Sequence, residues 1–279
     1  MTGGNKVANH YTQSDLLEAI TSGVEKLGKT PTTVNIQELA AVDEFHIGGS
    51  EATRSFIDQI AVSNRDHVLD IGCGIGGASR FLAQTYHCQV TGIDLTAAFV
   101  KTGNELCSWV GLEDRVRLVQ GNALSMDFSP STFDKSVMLH VGMNINDKES
   151  LAREAWRVLK PGGVMGIYDV MRIGDGELFF PVPWATTAES SAVSSVQEYK
   201  DALTKAGFVV TGERDRHEFA MAFFERLQAD ATATKGPPPL GLHILMGNDA
   251  PIKIKNMIEN IAHGKVAPIE LIVQKTNES

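Results

Sequence analysis

Short apolar runs that end in glycine or acid alternate along this chain with longer amphipathic stretches, which predicts strands and helices in regular succession. Strands are predicted near 66–71, 88–93, 115–119, 133–139, 162–170, 208–214 and 268–275. Helices fill the intervals, among them Ala78 to Tyr86 directly after the first strand. Asn146 with Glu149, and Ser194 with Gln197, have the spacing of N-terminal capping boxes, and Pro161 with Gly162 supplies a helix stop. The succession predicts an α/β fold, doubly wound, with a mainly parallel sheet covered on both faces.

Three segments exceed this alternation, and binding loops are drawn from such additions. The first, Tyr11 to Ala61, predicts a helix from Ser14 to Leu27, a linker at Lys29-Thr30-Pro31 and a second helix beginning near Ser50. The second, Gly174 to Ser195, contains Phe179-Phe180-Pro181-Val182-Pro183-Trp184. The third, His217 to Val266, has Met221, Phe223, Phe224 and Leu227 at helical spacing and then Gly236-Pro237-Pro238-Pro239. We therefore expect an N-terminal helical cover over 1–61 and a catalytic domain over 62–279, with insertions near 174–195 and 217–266 that bind an acceptor. Segments 11–41 and 217–266 are expected to pack over the ligand pocket as lids.

The most informative stretch follows the first strand: Asp70-Ile71-Gly72-Cys73-Gly74-Ile75-Gly76-Gly77. Glycines between a buried strand and a helix let a ligand approach the backbone closely. Gly72, Gly74 and Gly77 satisfy the dinucleotide fingerprint, and Asp94 ends the second strand where a ribose diol can meet a carboxylate. A nicotinamide-dependent oxidoreductase fits this much. Asp70 separates the readings, because a carboxylate ahead of the glycines disfavours pyrophosphate and favours a cationic amino-acid tail.

Further along come Gly121-Asn122-Ala123, then Phe133-Asp134-Lys135-Ser136-Val137-Met138-Leu139-His140, then Arg157-Val158-Leu159-Lys160-Pro161-Gly162-Gly163. With the glycine run and Asp94, these motifs resemble the class I S-adenosylmethionine-dependent methyltransferases over about residues 45 to 275. The likeness is to the small-molecule branch of ubiquinone/menaquinone-biosynthesis, sterol and glycine/sarcosine/dimethylglycine enzymes. The resemblance implies a Rossmann-like seven-stranded sheet whose last strand is antiparallel. It also implies S-adenosyl-L-methionine as donor, S-adenosyl-L-homocysteine as product and an in-line transfer to N, C or O of a small molecule. It assigns the donor pocket to Asp70, Gly72, Cys73, Gly74, Gly76, Asp94, Leu95, Asn122, Ala123 and Leu139. Asn122 departs from the aspartate usual there, and its amide can still accept from an exocyclic amine. His140, ending the fourth strand, is the first candidate for a general base, and His46 in Phe45-His46-Ile47-Gly48-Gly49 the second. A noncatalytic S-adenosylmethionine-binding protein shares all the donor residues and stays open as an alternative.

Composition narrows the partners. A net charge of −9 and a pI near 5.4 argue against nucleic acid. Arg214-Asp215-Arg216-His217 is read as a solvated strand end. The three cysteines, Cys73, Cys88 and Cys107, show no C-x-x-C pairing, and no metal-ligand set stands out. No segment reaches the length of an apolar membrane span, and Met1 to His10 is polar, so a cytoplasmic enzyme without an integral membrane segment is expected. The acceptor is expected to be a small molecule, and the sequence leaves a homodimer open.

Overall fold

The computed structural model describes residues 13–233, 238–247 and 249–276. Met1–His10 and Tyr11, Gly236 and Pro237 lie outside the described residues. The strands are β1 His67–Ile71, β2 Gln89–Asp94, β3 Val116–Gln120, β4 Phe133–Leu139, β5 Leu159–Arg172, β6 Phe208–Asp215 and β7 Val266–Lys275. They form one sheet in the order β3-β2-β1-β4-β5-β7-β6, parallel except that β7 runs antiparallel to both β5 and β6. The helices are α1 Gln13–Lys26, α2 Ile36–Asp43, α3 Gly49–Ile57, α4 Gly77–Tyr86, α5 Ala97–Trp109, α6 Lys148–Val158, α7 Val196–Ala206, α8 His217–Ala233, α9 His243–Met246 and α10 Ala250–Ala262.

Period-two alternation divides the core. Leu69, Ile71, Met138 and Ile167 point to the face covered by α6 and α7, while Val68, Val137, Tyr168 and Ile272 point to the face of α3 and α4. The additions build two satellite cores. Leu16, Ile20 and Val24 of α1 pack with Leu39, Val42, Leu240 and Ile244 and touch Ile75 of the glycine turn. Residues of the two insertions, including Leu178, Val182, Trp184, Phe224, Met257 and Ile261, meet in one cluster with Ile47 and Met143.

Several local expectations shift. Helix α6 is capped by Asp147, not Asn146: the Asp147 carboxylate accepts from Ser150 N–H at 2.8 Å and Ser150 Oγ at 2.5 Å. A negative charge suits a helix N-terminus better than an amide does. Ser195 with Glu198, not Ser194 with Gln197, forms the box at α7, because the Ser194 carbonyl is taken by Arg172 N–H. The 160–163 segment is a bulge inside β5, where residues 159–164 oppose only 133–135 of β4. Helix α2, unread in the sequence, carries its own signal in the reciprocal Asn35–Glu38 box ahead of Ile36, Leu39 and Val42. The expected solvated end at Arg214–His217 is instead partly buried. Glu270, 1 % exposed, needs counter-charge and draws in Arg214 at 2.6 Å and Arg216 at 3.4 Å, with Gln59 donating at 2.7 Å.

The N-terminal segment is locked to α4 by charge. Arg80 is fully buried; its Nη2 meets Asp43 Oδ2 at 2.5 Å, and its Nη1 donates to the carbonyl of Ile75 at 2.8 Å. Replacing Arg80 by Leu leaves Asp43 unpaired in a dry place and should cost about 3–5 kcal/mol, read as a fall in the urea midpoint. Adding Asp43→Asn should return part of that loss. A single variant within about 1 kcal/mol of wild type would show that the pair does not hold the segment.

Candidate active site

Three segments converge at the carboxyl ends of β1 and β4: the turn 72–77, the turn 139–142 and the loop 43–49. In the first, Gly72, Gly74 and Gly76 all have positive φ, and the turn is pinned by Gly72 N–H and Cys73 N–H donating to the Ile93 carbonyl at 2.8 and 3.1 Å. A Cβ on Gly72 would lie 2.4 Å from Val141, so the two turns touch and the residue must be glycine. At Gly74 a Cβ would meet nothing within 4 Å, which marks open space on the ligand side. The third segment closes against the first: a Cβ on Gly77 would lie 2.5 Å from the Asp43 carbonyl oxygen.

Asp94 stands at the edge of this turn with one oxygen on Gly74 N–H at 3.0 Å and the other on Thr96 N–H at 2.8 Å. The Thr96 side chain also hydrogen-bonds this carboxylate. Leu95 beside it is 52 % exposed, an apolar surface at the pocket mouth. Asn122 is exposed, and its amide oxygen accepts from Leu124 N–H at 2.9 Å; Ala123 and Leu139 are half-buried nearby in sequence to these turns. The loop after β3 is held from α6: Glu154 accepts from Met126 N–H, and Arg157 donates to the Met126 and Phe128 carbonyls. Asp70 is 2 % exposed and accepts from Ser79 Oγ at 2.6 Å, so it ties β1 to the first turn of α4.

The region is acidic and dry. Burial raises the carboxyls of Asp43, Glu44, Asp70 and Asp94, Asp70 to about 6, and Asp94 and Glu44 add to the rise at Asp70. Arg80 is the buried cation among them and is already paired with Asp43. Cys73 is buried with its thiol pushed up by burial, which makes it packing rather than a nucleophile.

Both sequence-predicted histidines arrive here. Their ring centroids are 5.9 Å apart, and His140 lies 4.8 Å from the ring of Tyr168. His140 has φ +55, a left-handed conformation that a residue with a side chain adopts at a cost. His46 Nε2 is 2.9 Å from Thr53 Oγ1 and 3.2 Å from Glu44 Oε2, and burial lowers this imidazole to about 4. Burial and the neighbouring His46 hold His140 well below the ordinary histidine range. Glu44, Thr53 and Tyr168 were not read from the sequence. A buried acid two residues before a histidine was the available signal for the first, whereas Tyr168 reads only as strand core.

A mainly parallel sheet with a glycine turn, a strand-end acid and an excess of buried carboxylate is an arrangement that can hold a nucleotide carrying positive charge. Residues 69–167 match the family model for a methyltransferase domain. It is 31 % identical over 161 residues to a sterol 24-C-methyltransferase of Eremothecium gossypii, covering 56 % of this chain and 43 % of that protein. It is 30 % identical to phosphoethanolamine N-methyltransferase 1 of Triticum aestivum, covering 64 % and 35 %. The chain thus spans less than half the length of these curated relatives. The solved [4+2]-cyclase SpnF shares the fold, with a TM-score of 0.67 at 19 % identity over 95 % of this chain and 94 % of that one. Among the described residues no helix is long and apolar enough to cross a membrane, and no group of three or more His, Cys, Asp or Glu could hold a metal ion.

The raised Asp70 carboxyl gives a pH signature. Between its unfolded value of 3.8 and its folded value of about 6, the folded chain keeps a proton that the unfolded chain releases, so stability falls as pH rises through this window. Above it the full cost, about 3 kcal/mol, is present. Asp70→Asn removes that cost and can still accept from Ser79. In urea unfolding the ligand-free variant should therefore exceed wild type by roughly this amount at pH 8, and the gap should close toward pH 4. Parallel stability curves would overturn the assignment.

Proposed function

We propose that this chain binds S-adenosylmethionine across the glycine turn and transfers its methyl group to a small, largely apolar acceptor that carries no phosphate. The carrying observation is the excess of buried carboxylates around residues 70–94, with Arg80 already neutralised by Asp43. Such a field attracts a sulfonium and an α-ammonium and repels the pyrophosphate of a dinucleotide. Asp94, with both oxygens preset by backbone N–H groups, would take the ribose hydroxyls. Leu95 would lie against the adenine, and Asn122 and the backbone at Ala123 would meet its edge. When bound, the donor supplies an already activated methyl carbon. The protein's part is alignment, exclusion of water and control of the acceptor's proton.

The acceptor class follows from the cover. Ile47, Met143, Trp184, Phe224 and Met257 form an apolar cluster beside the histidines' loops. Among the described residues, Lys148 donates to the Ile145 and Ala192 carbonyls, Arg172 to Gly174 and Gly176, Lys253 to Met246 and Lys265 to Glu177. A phosphate ester would need such a group free. This favours an acceptor resembling a sterol, a prenylated ring or a natural-product scaffold over a phosphorylated amine. The proximity of the His46 and His140 rings supports a role for this pair at the acceptor, one of them taking its proton.

Calorimetry with S-adenosylhomocysteine and, separately, NAD and NADP tests the donor. Binding of the first alone is expected, and Asp94→Ala should weaken it by about 1.5–3 kcal/mol. Binding of a dinucleotide alone would replace methyl transfer by redox chemistry. For the acceptor, incubation of cell extract with labelled donor followed by mass spectrometry should show label in an apolar, phosphate-free product. Tight donor binding with no labelled product in any extract would favour a noncatalytic role.

A further inference from the structure

The two histidines are held differently, and the difference fixes where each carries its proton. His140 belongs to a closed circuit of three bonds. Its backbone N–H donates to the Tyr168 carbonyl at 2.7 Å, the Tyr168 hydroxyl donates to the Ile47 carbonyl at 2.9 Å, and Ile47 N–H donates to His140 Nε2 at 3.5 Å. A main-chain N–H can only donate, so Nε2 is the bare nitrogen, and the proton of the neutral ring sits on Nδ1. That Nδ1 is buried and has no partner. An orphan buried donor where the glycine turn, the β4 turn and the 43–49 loop meet is a place that a bound oxygen or nitrogen would complete.

His46 faces the reverse situation. Thr53 Oγ1 gives its hydrogen to Glu44 Oε2 at 2.7 Å, so at 2.9 and 3.2 Å from these two oxygens His46 Nε2 meets acceptors only. Its proton is drawn to Nε2, and Nδ1 keeps the lone pair. Glu44 is 6 % exposed, and a buried carboxylate beside an imidazole fixes its tautomer.

We propose that His140 is a hydrogen-bond donor to the acceptor, through Nδ1–H, and that His46 is the base, with Glu44 and Thr53 as positioning residues. The acceptor would then carry an oxygen or nitrogen lone pair next to the methylated atom. Its proton passes to His46 Nδ1, and the electron pair of the broken bond stays on the acceptor for attack on the methyl carbon. The assignment rests on the methyl-transfer reading for its chemistry, but the tautomers themselves do not.

Nitrogen-15 histidine labelling with long-range proton–nitrogen correlation tests it on the full chain, without any ligand and then with saturating S-adenosylhomocysteine. His46→Asn and His140→Asn spectra assign the two rings. The expected result is Nδ1–H for His140 and Nε2–H for His46, with His140 staying neutral at pH values where an ordinary histidine is protonated. The groups facing the pair are Glu44, Asp43, the Gly49 and Tyr168 carbonyls and the Tyr168 hydroxyl. Glu44→Gln should loosen the tautomer preference of His46 and leave that of His140 unchanged. An Nε2–H form of His140, its titration near the ordinary value, or one tautomer for both rings would overturn the proposal. With an acceptor from the labelling screen, His140→Asn, whose amide can donate near the Nδ1 position and whose side chain tolerates positive φ, should keep turnover within about tenfold. His140→Ala should lose about a hundredfold, and His46→Asn a hundredfold or more. Equal losses in both His140 variants would also overturn it. If S-adenosylhomocysteine fails to bind while the tautomers are as expected, the donor reading falls and the tautomer assignment stands.

Discussion

The site hangs on one constraint: between Ile71 and Gly77 the chain must pass from a buried strand to a buried helix in a turn crowded on several sides. Val141 fills the space where Gly72 would carry a side chain, the Asp43 backbone fills that of Gly77, and Ile93 takes the turn's N–H groups. Only the side at Gly74 is open. Because neighbours from β2, the β4 turn and the 43–49 loop are shaped to this one turn, fixing it fixes them. His140 is one residue from Val141, and His46 three from Asp43, so packing onto the turn carries both histidines to the same place.

What the sequence disclosed and what it hid follow from this. The strands, the glycine turn and Asp94 are local, since each is written in a short run whose pattern has one good structural solution. Capping was legible to within one residue, because adjacent polar residues compete and the winner depends on whose carbonyl is needed elsewhere, as Ser194 shows by bonding Arg172. Helix α2 is short, and its box was masked by the threonine and proline linker before it. Tyr168 and the Glu44–Thr53 pair are non-local: no spacing along the chain brings residue 168 to residue 47, or residues 214 and 216 to Glu270. Only the sheet register does so.

Charge placement separates binding from stability in an instructive way. The buried carboxylates near the turn are a standing cost to the folded chain, seen in the upward shift of Asp43, Glu44, Asp70 and Asp94. A core chosen for stability alone would replace them by apolar side chains. Their retention makes sense when a cation completes the site, since the ligand then repays part of the burial penalty and gains affinity from it. By contrast Glu270 is neutralised within the protein by Arg214 and Arg216, and that cluster holds α3 to the sheet without a ligand.

The fold alone does not choose among chemistries, since a cyclase and methyltransferases share it. Discrimination must come from the few groups that the shared turn does not specify. On the proposed reading those would be the apolar cluster of the two insertions and the polar pair His46–His140, which differ in kind: the cluster would select by size and desolvation, the pair by the position of a proton. One missing methylene in an apolar chamber changes discrimination by about 1–3 kcal/mol. A lost hydrogen bond to a fixed buried donor costs more, because the donor is then left without water. If His140 donates to the acceptor as proposed, it would weigh more heavily on acceptor choice than any one apolar residue of the cover, and its left-handed φ would be a cost met for what the side chain binds.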